Sequence, residues 1–327
     1  MDTKIRKFMV VVLVVVFLAA GATQGSPALS QSIAASSTNG RIAFVSERDG
    51  NEEIYVMNAD GTGQTNLTNN PAGDTEPVWG PDGTKIAFRS NRDGRNSFEI
   101  YIMNPDGTEQ TRLTHVWEGC AHPSWSPDGT KIAFMSYLEG DDEIYVVNSD
   151  GSGQTKLTSS ATGSSSPAWS PDGSKIAFES HRDGKDEIYV MNSDGSGQTR
   201  LTNNNVDDDY PAWSPDSSKI AFSSYQEGGR RIYVMNADGS GAIGLTTYGL
   251  QPAWSPDGSK IAFISAQDGN LEIYVMNPDG SGVISIANNP RAEYWVNYWQ
   301  PAGHLTVERS LSSPIARSTL SMLMARE

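Results

Sequence analysis

The tripeptide Ile-Ala-Phe begins at Ile42, Ile86, Ile132, Ile176, Ile220 and Ile261, with spacings of 44, 46, 44, 44 and 41 residues. A period near 44 constrains this chain more than any other feature, because a unit that short cannot bury a core alone and must stack on its neighbours. Two further segments keep step with it. Ile-Tyr-(Val/Ile)-(Met/Val)-Asn begins at Ile54, Ile100, Ile144, Ile188, Ile232 and Ile273. Pro-x-Trp carries Trp79, Trp125, Trp169, Trp213 and Trp254, and Trp299 stands in the matching place without the preceding Pro.

Each repeat reads as four short strands. Pro-x-Trp leads into Ser-Pro-Asp-Gly, as at Ser126-Pro127-Asp128-Gly129, where Ser opens a type I turn, Pro fixes φ and Gly closes it. The chain returns through Lys-Ile-Ala-Phe, crosses a variable loop and enters Ile-Tyr-Val-Met-Asn, rich in β-branched and aromatic residues. A second tight turn, x-Asp-Gly-(Ser/Thr), precedes a short strand ending in Leu-Thr, as at Leu113-Thr114 and Leu201-Thr202. Strands apolar on both faces suit small sheets sandwiched between neighbours, and a stack of such sheets must close or expose its ends. The N-terminal repeat lacks a Pro-x-Trp strand, and Tyr298-Trp299-Gln300-Pro301 supplies one at the other end. The expectation is an all-β, six-bladed β-propeller of four-stranded blades over residues 40–309, closed by pairing of N- and C-terminal strands.

The string Pro-x-Trp-Ser-Pro-Asp-Gly-(Ser/Thr)-Lys-Ile-Ala-Phe, followed by Ile-Tyr-Val-Met-Asn-x-Asp-Gly, resembles the WD-like repeat of the TolB family of propellers, over about residues 40 to 305. The resemblance implies that the Pro-x-Trp strand is innermost, with the two tight turns on one face and the two longer loops on the other. It implies no single function, since similar repeats occur in the propeller domains of prolyl-oligopeptidase-like enzymes and in oligogalacturonate lyases. TolB proper adds an N-terminal α/β domain. Only a linker's worth of sequence precedes the repeats here, so a TolB-like protein without that domain is expected.

Lys4, Arg6 and Lys7, the apolar run 8–20 and the small residues Ala20-Gly21-Ala22 follow the pattern of a signal peptide over residues 1–22. The apolar run is short for a membrane span, which needs about 20 residues. Residues 23–39, rich in Ser, Ala, Thr and Gln, read as a linker, and residues 310–327 as a C-terminal tail. These segments predict a periplasmic or secreted monomer with no stable membrane span after signal cleavage. Cys120 is the sole cysteine, so no internal disulfide is available. A formal charge of −15 argues against a nucleic-acid partner, which needs clustered Lys and Arg. Eleven Asp residues fall in the repeated turns, where the side chain bonds the backbone, so part of the acidity is structural.

The loops from Leu-Thr to the next Pro-x-Trp, and from Ile-Ala-Phe to Ile-Tyr, vary most between repeats. Loops carried by a rigid scaffold commonly bind ligands, so the candidate site is the channel mouth on that face. Its polar residues are Asp74, Glu76, Glu118, His122, Asp207, Asp208, Asp209 and Glu293, set against a plain reading as solvated loop charges. The segment 115–122 gathers His115, Glu118, Cys120 and His122, but in a spacing that matches no zinc pattern. The Asn-x-Asp-Gly turns lack the further acids and closing Glu of a calcium loop. No metal and no cofactor are expected.

There is no Gly-x-Ser-x-Gly elbow, and the hydrolase domain of the prolyl-oligopeptidase-like proteins has no place in the few residues after Trp299. The lyases, as the resemblance implies, use a histidine-rich metal site, and this chain has four His. The reading is an exported, non-catalytic scaffold in the cell envelope that binds a protein, peptide or glycan. The alternative is a carbohydrate-acting enzyme, a lyase or hydrolase, that uses channel-mouth carboxylates or a metal.

Overall fold

The Phe of each Ile-Ala-Phe faces the Tyr of Ile-Tyr across an antiparallel ladder: Phe88 opposite Tyr101, Phe134 opposite Tyr145, Phe178 opposite Tyr189, Phe222 opposite Tyr233 and Phe263 opposite Tyr274. Their ring centroids lie 5.6 to 5.9 Å apart, within the range of favourable aromatic pairs, so the two most regular motifs of the repeat pin each other's register. The computed structural model describes residues 41–46, 49–58, 63–93, 97–116, 119–138, 140–255, 257–265 and 272–285.

These residues form six antiparallel sheets in chain order. Sheet 1 has three strands, β1 (Arg41–Ser46), β2 (Glu53–Asn58) and β3 (Thr65–Asn66). Sheet 2 holds β4 (Asp74–Trp79), β5 (Ile86–Ser90), β6 (Glu99–Met103) and β7 (Thr111–Arg112), and sheet 3 holds β8 (Cys120–Trp125), β9 (Lys131–Ser136), β10 (Glu143–Asn148) and β11 (Thr155–Lys156). Sheet 4 comprises β12 (Ser164–Trp169), β13 (Lys175–Ser180), β14 (Glu187–Asn192) and β15 (Thr199–Arg200). Sheet 5 comprises β16 (Asp208–Trp213), β17 (Lys219–Gln226), β18 (Gly229–Asn236) and β19 (Ile243–Gly244). Sheet 6 comprises β20 (Leu250–Trp254), β21 (Ile261–Ser265), β22 (Glu272–Met276) and β23 (Ile284–Ser285).

This corrects the expectation of a six-bladed propeller closed by its ends. Five blades have four strands, the first sheet has three, and no strand pairing among the described residues joins the N-terminal sheet to a C-terminal strand. The segment assigned to that closure, residues 298–301, lies outside the described residues, as does the expected signal peptide, linker and tail. The physical reason is visible in the sequence. Trp299 lacks the Pro two residues before it, and Gln300-Pro301-Ala302-Gly303 lacks both the Ser and the Asp whose side chains lock the other turns.

Those locks are explicit at Ser126, whose hydroxyl donates to Asp128 Oδ1 at 2.6 Å and accepts the Lys131 N–H at 2.9 Å, while Asp128 also accepts the Thr130 N–H at 3.0 Å. Gly80 takes the place of Ser in sheet 2 and Ser217 that of Gly in sheet 5. Ser217 bears the left-handed φ of 59° that its turn demands and accepts the Asp172 N–H from sheet 4 at 3.1 Å. The fourth strand is shorter than expected. Its two residues precede Leu-Thr, and Leu113 and Leu201 extend it by one bond each to Ile100 and Ile188 carbonyls at 2.8 Å.

The core lies between sheets rather than within them. Ala43, Ile54 and Val56 of sheet 1 pack with Trp79, Ile86, Phe88, Tyr101 and Met103 of sheet 2, and every later boundary repeats the pattern. Trp125 Nε1 donates across its boundary to the Val78 carbonyl and Trp213 Nε1 to that of Ala168, both at 3.1 Å. The first strands β4, β8, β12, β16 and β20 touch one another in series, which brings the residues ahead of each Pro-x-Trp to one place.

Candidate functional site

Proline has no N–H to give to a ladder, so a first strand carrying it must break its pairing there. Each one does so by a bulge. The register between β4 and β5 shifts between Thr75 and Val78, and the same shift recurs in sheets 3 to 6. The residue before each Pro adopts a left-handed backbone: φ is 51° at Glu76, 55° at His122, 50° at Ser166, 54° at Tyr210 and 54° at Gln251. That conformation is disfavoured for a residue with a side chain, and five repetitions show that the surroundings impose it.

The amide turned out of the ladder finds an acceptor in the preceding sheet. His122 N–H donates to Glu76 Oε2 at 2.7 Å, Tyr210 N–H to Glu179 Oε2 at 3.1 Å, and Gln251 N–H to Ser223 Oγ at 2.9 Å. The polar side chains at this end therefore hold neighbouring sheets together before they do anything else.

Of the sequence-derived site residues, Asp74, Glu76, His122, Asp208 and Asp209 lie in first strands and not in loops, and Asp207 immediately precedes β16. Glu118 and Glu293 lie outside the described residues. Glu76 is fully buried and pairs with Arg89 Nη1 at 3.1 Å; Arg89 in turn donates from Nε to the Cys120 carbonyl at 3.0 Å and lies over the Phe98 ring. Asp74 pairs with Arg92 Nη2 at 2.8 Å and accepts from Asn70 Nδ2 at 2.6 Å. Asp209 pairs with Arg230, and Asp207 with Lys185 Nζ at 3.2 Å.

Glu76 and His122 are thus brought together, as are Asp209 and Glu179 at the boundary of sheets 4 and 5. Burial raises the Asp209 carboxyl pKa, and the Glu179 carboxylate adds to the effect; Arg230 opposes it without prevailing. Burial likewise raises that of Asp208. Asp208 repeats the setting of Asp74, since Asn204 Nδ2 donates to it at 2.6 Å, but Gln226 stands where sheet 2 has Arg92. Among the described residues, one carboxylate oxygen of Asp208 and one of Asp209 are buried without a hydrogen-bond partner.

At the boundary of sheets 1 and 2 the same loop face holds an open groove of about 550 Å³, lined by Asn70, Pro71, Asn91, Arg92 and Asp93 among others. His115 is exposed, whereas Cys120 is buried with Sγ 3.9 Å from Glu99 Oε2, and burial pushes its thiol up to about 12. Among the described residues no three His, Cys, Asp or Glu side chains gather as a metal site.

A second set of polar residues, the acids that recur before Ile-Tyr, is not among the sequence-derived site candidates. Glu53, Glu99, Glu143 and Glu187 are buried, and each accepts the hydroxyl of the Leu-Thr threonine that follows in its sheet: Thr68, Thr114, Thr158 and Thr202. The recurrence of an acid at that position is the signal for it.

Four-stranded blades with a polar, ion-paired loop face define a β-propeller scaffold, a class that serves binding proteins and enzymes alike. The chain belongs to the TolB beta propeller domain family, whose model matches residues 22–115 and 95–251. Over 54 residues it is 41% identical to the Tol-Pal system protein TolB of Desulfosudis oleivorans, a stretch that is 16% of this chain and 12% of that protein. TolB from Acinetobacter baumannii shares the fold with a TM-score of 0.67 and 23% identity over 79% of this chain and 65% of that one. The putative TolB of Agrobacterium tumefaciens gives 0.61 and 26% over 68% and 83%. An oligogalacturonate lyase in complex with manganese, at 0.57 and 18% over 78% and 76%, is similar in fold alone. The chain thus spans less than two thirds of the A. baumannii protein and about an eighth of the curated relative.

Proposed function

We propose that the protein is a non-catalytic binding scaffold working in the periplasm or the secreted fraction, and that it holds a basic segment of a protein partner at the junction of sheets 4 and 5. The observation that carries this reading is Asp208. In sheet 2 the corresponding Asp74 is met by Arg92; in sheet 5 the acid remains, its arginine is replaced by Gln226, and one oxygen is buried with no hydrogen-bond partner among the described residues. A guanidinium or ammonium from a partner supplies the missing donor at an acceptor already held in place by Asn204. The overall charge of −15 favours the same sign of ligand. The export pattern of residues 1–22 and the likeness to TolB proteins support the compartment.

The test is affinity capture from an envelope extract, with the native protein beside Asp207→Asn/Asp208→Asn/Asp209→Asn and beside Gln226→Arg, which fills Asp208 from within. A protein retained by the native chain and lost from both variants, with binding of the purified partner weakened by salt, supports the reading. A partner retained equally by all three, or none retained, sinks it.

A further inference from the structure

Sheet 5 also carries a reversal of charge. The residue before Ile-Tyr is Glu53, Glu99, Glu143, Glu187 and Glu272 in five repeats and Arg231 in the sixth. The buried carboxylates of sheets 1 to 4 share a set of donors. One is the Leu-Thr hydroxyl, at 2.5 Å for Thr114 and 2.6 Å for Thr202. A second is the backbone N–H two residues further on, that of Asn70 and Val116 at 2.9 Å, Ser160, and Asn204 at 3.3 Å. In sheets 2 to 4 the fourth strand adds a cation, Arg112, Lys156 or Arg200.

In sheet 5 the acid is gone and the donors remain. Thr246 Oγ1 accepts the Ile232 N–H at 2.9 Å, as the other threonines do for their isoleucines, but its own proton meets no acceptor among the described residues. Neither does the Tyr248 N–H, the amide two residues on. The fourth-strand cation is replaced by Gly244, and Arg231 brings the positive charge instead. Among the described residues Arg231 forms no ion pair; its Nε is buried with no hydrogen-bond partner there, and the bond it makes runs from Nη2 to the Glu227 carbonyl at 3.1 Å.

Register places Arg231 as the glutamates are placed. It lies opposite Ser224, just as Glu99 lies opposite Ser90 and Glu187 opposite Ser180, so the side chain leaves the strand on the same face. On that face, two residues earlier, is Gly229 with φ 130°, where an added Cβ would stand 3.0 Å from the Tyr248 ring. That ring remains 46% exposed.

We propose that the Thr246 hydroxyl, the Tyr248 N–H and the Arg231 guanidinium bind a carboxylate from outside the chain, in the position that a built-in glutamate occupies in sheets 1 to 4. The Tyr248 ring offers an apolar face to the organic part of the ligand. This site takes the opposite charge to the partner proposed at Asp208, and the two flank Ser224 on one face of sheet 5.

The experiment is a calorimetric and ligand-observed NMR titration of the full chain at low salt with acetate, benzoate and glucuronate, and with chloride as the control. The expected dissociation constant is on the order of 1 mM. Arg231→Glu places the repeat's own carboxylate in the cradle, so it is expected to weaken binding by about tenfold or more without lowering Tm. Tyr248→Ala separates the sources: weaker binding of benzoate and glucuronate, with acetate unchanged, assigns the site to ring-bearing acids. Equal binding of all three assigns it to any carboxylate, and both results support the site. No saturable binding up to about 50 mM, or binding that Arg231→Glu leaves unchanged, overturns it.

Discussion

Thr202 donates its hydroxyl to Glu187 at 2.6 Å and accepts the Ile188 N–H at 2.9 Å. One small side chain so joins the end of a fourth strand to the start of the third and fixes a buried acid between them. Arg200 and the Asn204 N–H complete the shell of that carboxylate. Glu187→Gln leaves Arg200 without its counter-charge and should cost about 2–4 kcal/mol, against about 1–2 for Thr202→Val. Urea unfolding reads both as a lower midpoint at unchanged slope.

The tryptophans differ in a way that separates hydrogen bonding from bulk. Trp125 Nε1 reaches the Val78 carbonyl, whereas Trp169 Nε1 is buried without a partner. Trp125→Phe should therefore cost about 1 kcal/mol more than Trp169→Phe, because it bares a carbonyl while the other change removes an unsatisfied donor. Equal losses in a thermal or urea series would refute the assignment.

Gly80 is the one first-turn position among sheets 2 to 6 without the serine hydroxyl. A Cβ there would lie 3.3 Å from the Lys85 carbonyl, a tight contact, while the hydroxyl of Ser126 at the same place in sheet 3 donates to the equivalent Lys131 carbonyl at 3.2 Å. Gly80→Ser is expected to stabilise by about 0.5–1 kcal/mol, from the added bond to Asp82 and the reduced freedom of the unfolded chain. A rise in Tm of a few degrees is the result to look for.

Asp208 and Asp209 set a pH dependence of definite sign. Burial raises both above the ordinary 3.8, so the folded chain keeps protons that the unfolded chain has released. Stability must fall as pH rises from the ordinary value through the raised ones. Asp216 acts oppositely: the Ser214 hydroxyl, then the Ser218 N–H, hold it down to about 2, so its stabilisation is present above the ordinary value and lost as pH falls through about 2. Melting curves of Asp208→Asn and Asp209→Asn should show a flatter fall of Tm above about pH 4 than the native protein.

The repeat itself was legible because its motifs sit in the strands: Ile-Ala-Phe and Ile-Tyr pair with each other, and Ser-Pro-Asp-Gly makes its turn from its own side chains. The site was legible only in part. Asp74, Glu76, Asp208 and Asp209 look like loop residues because Pro seems to begin the strand, when in fact a bulge at the residue before Pro lets the strand start earlier. Periodicity in sequence does not report the left-handed backbone before each Pro, where Glu76, Ser166, Tyr210 and Gln251 are residue types that ordinarily avoid it. The closing strand expected at Trp299 lies outside the described residues, and the Pro and the locking Ser and Asp found around the other tryptophans are missing from the sequence there.

The bulge amides carry a consequence for how such a chain can be rearranged. Glu76, Glu179 and Ser223 each take an amide from the sheet that follows, while Met135, at the place of Glu179 in sheet 3, has no oxygen to offer Ser166. Blades that began as copies have become keyed to their successors. Exchanging sheets 3 and 4 would set Met135 against Tyr210 and leave a buried donor unmet, so the order of the blades is written into the sequence and not only their number.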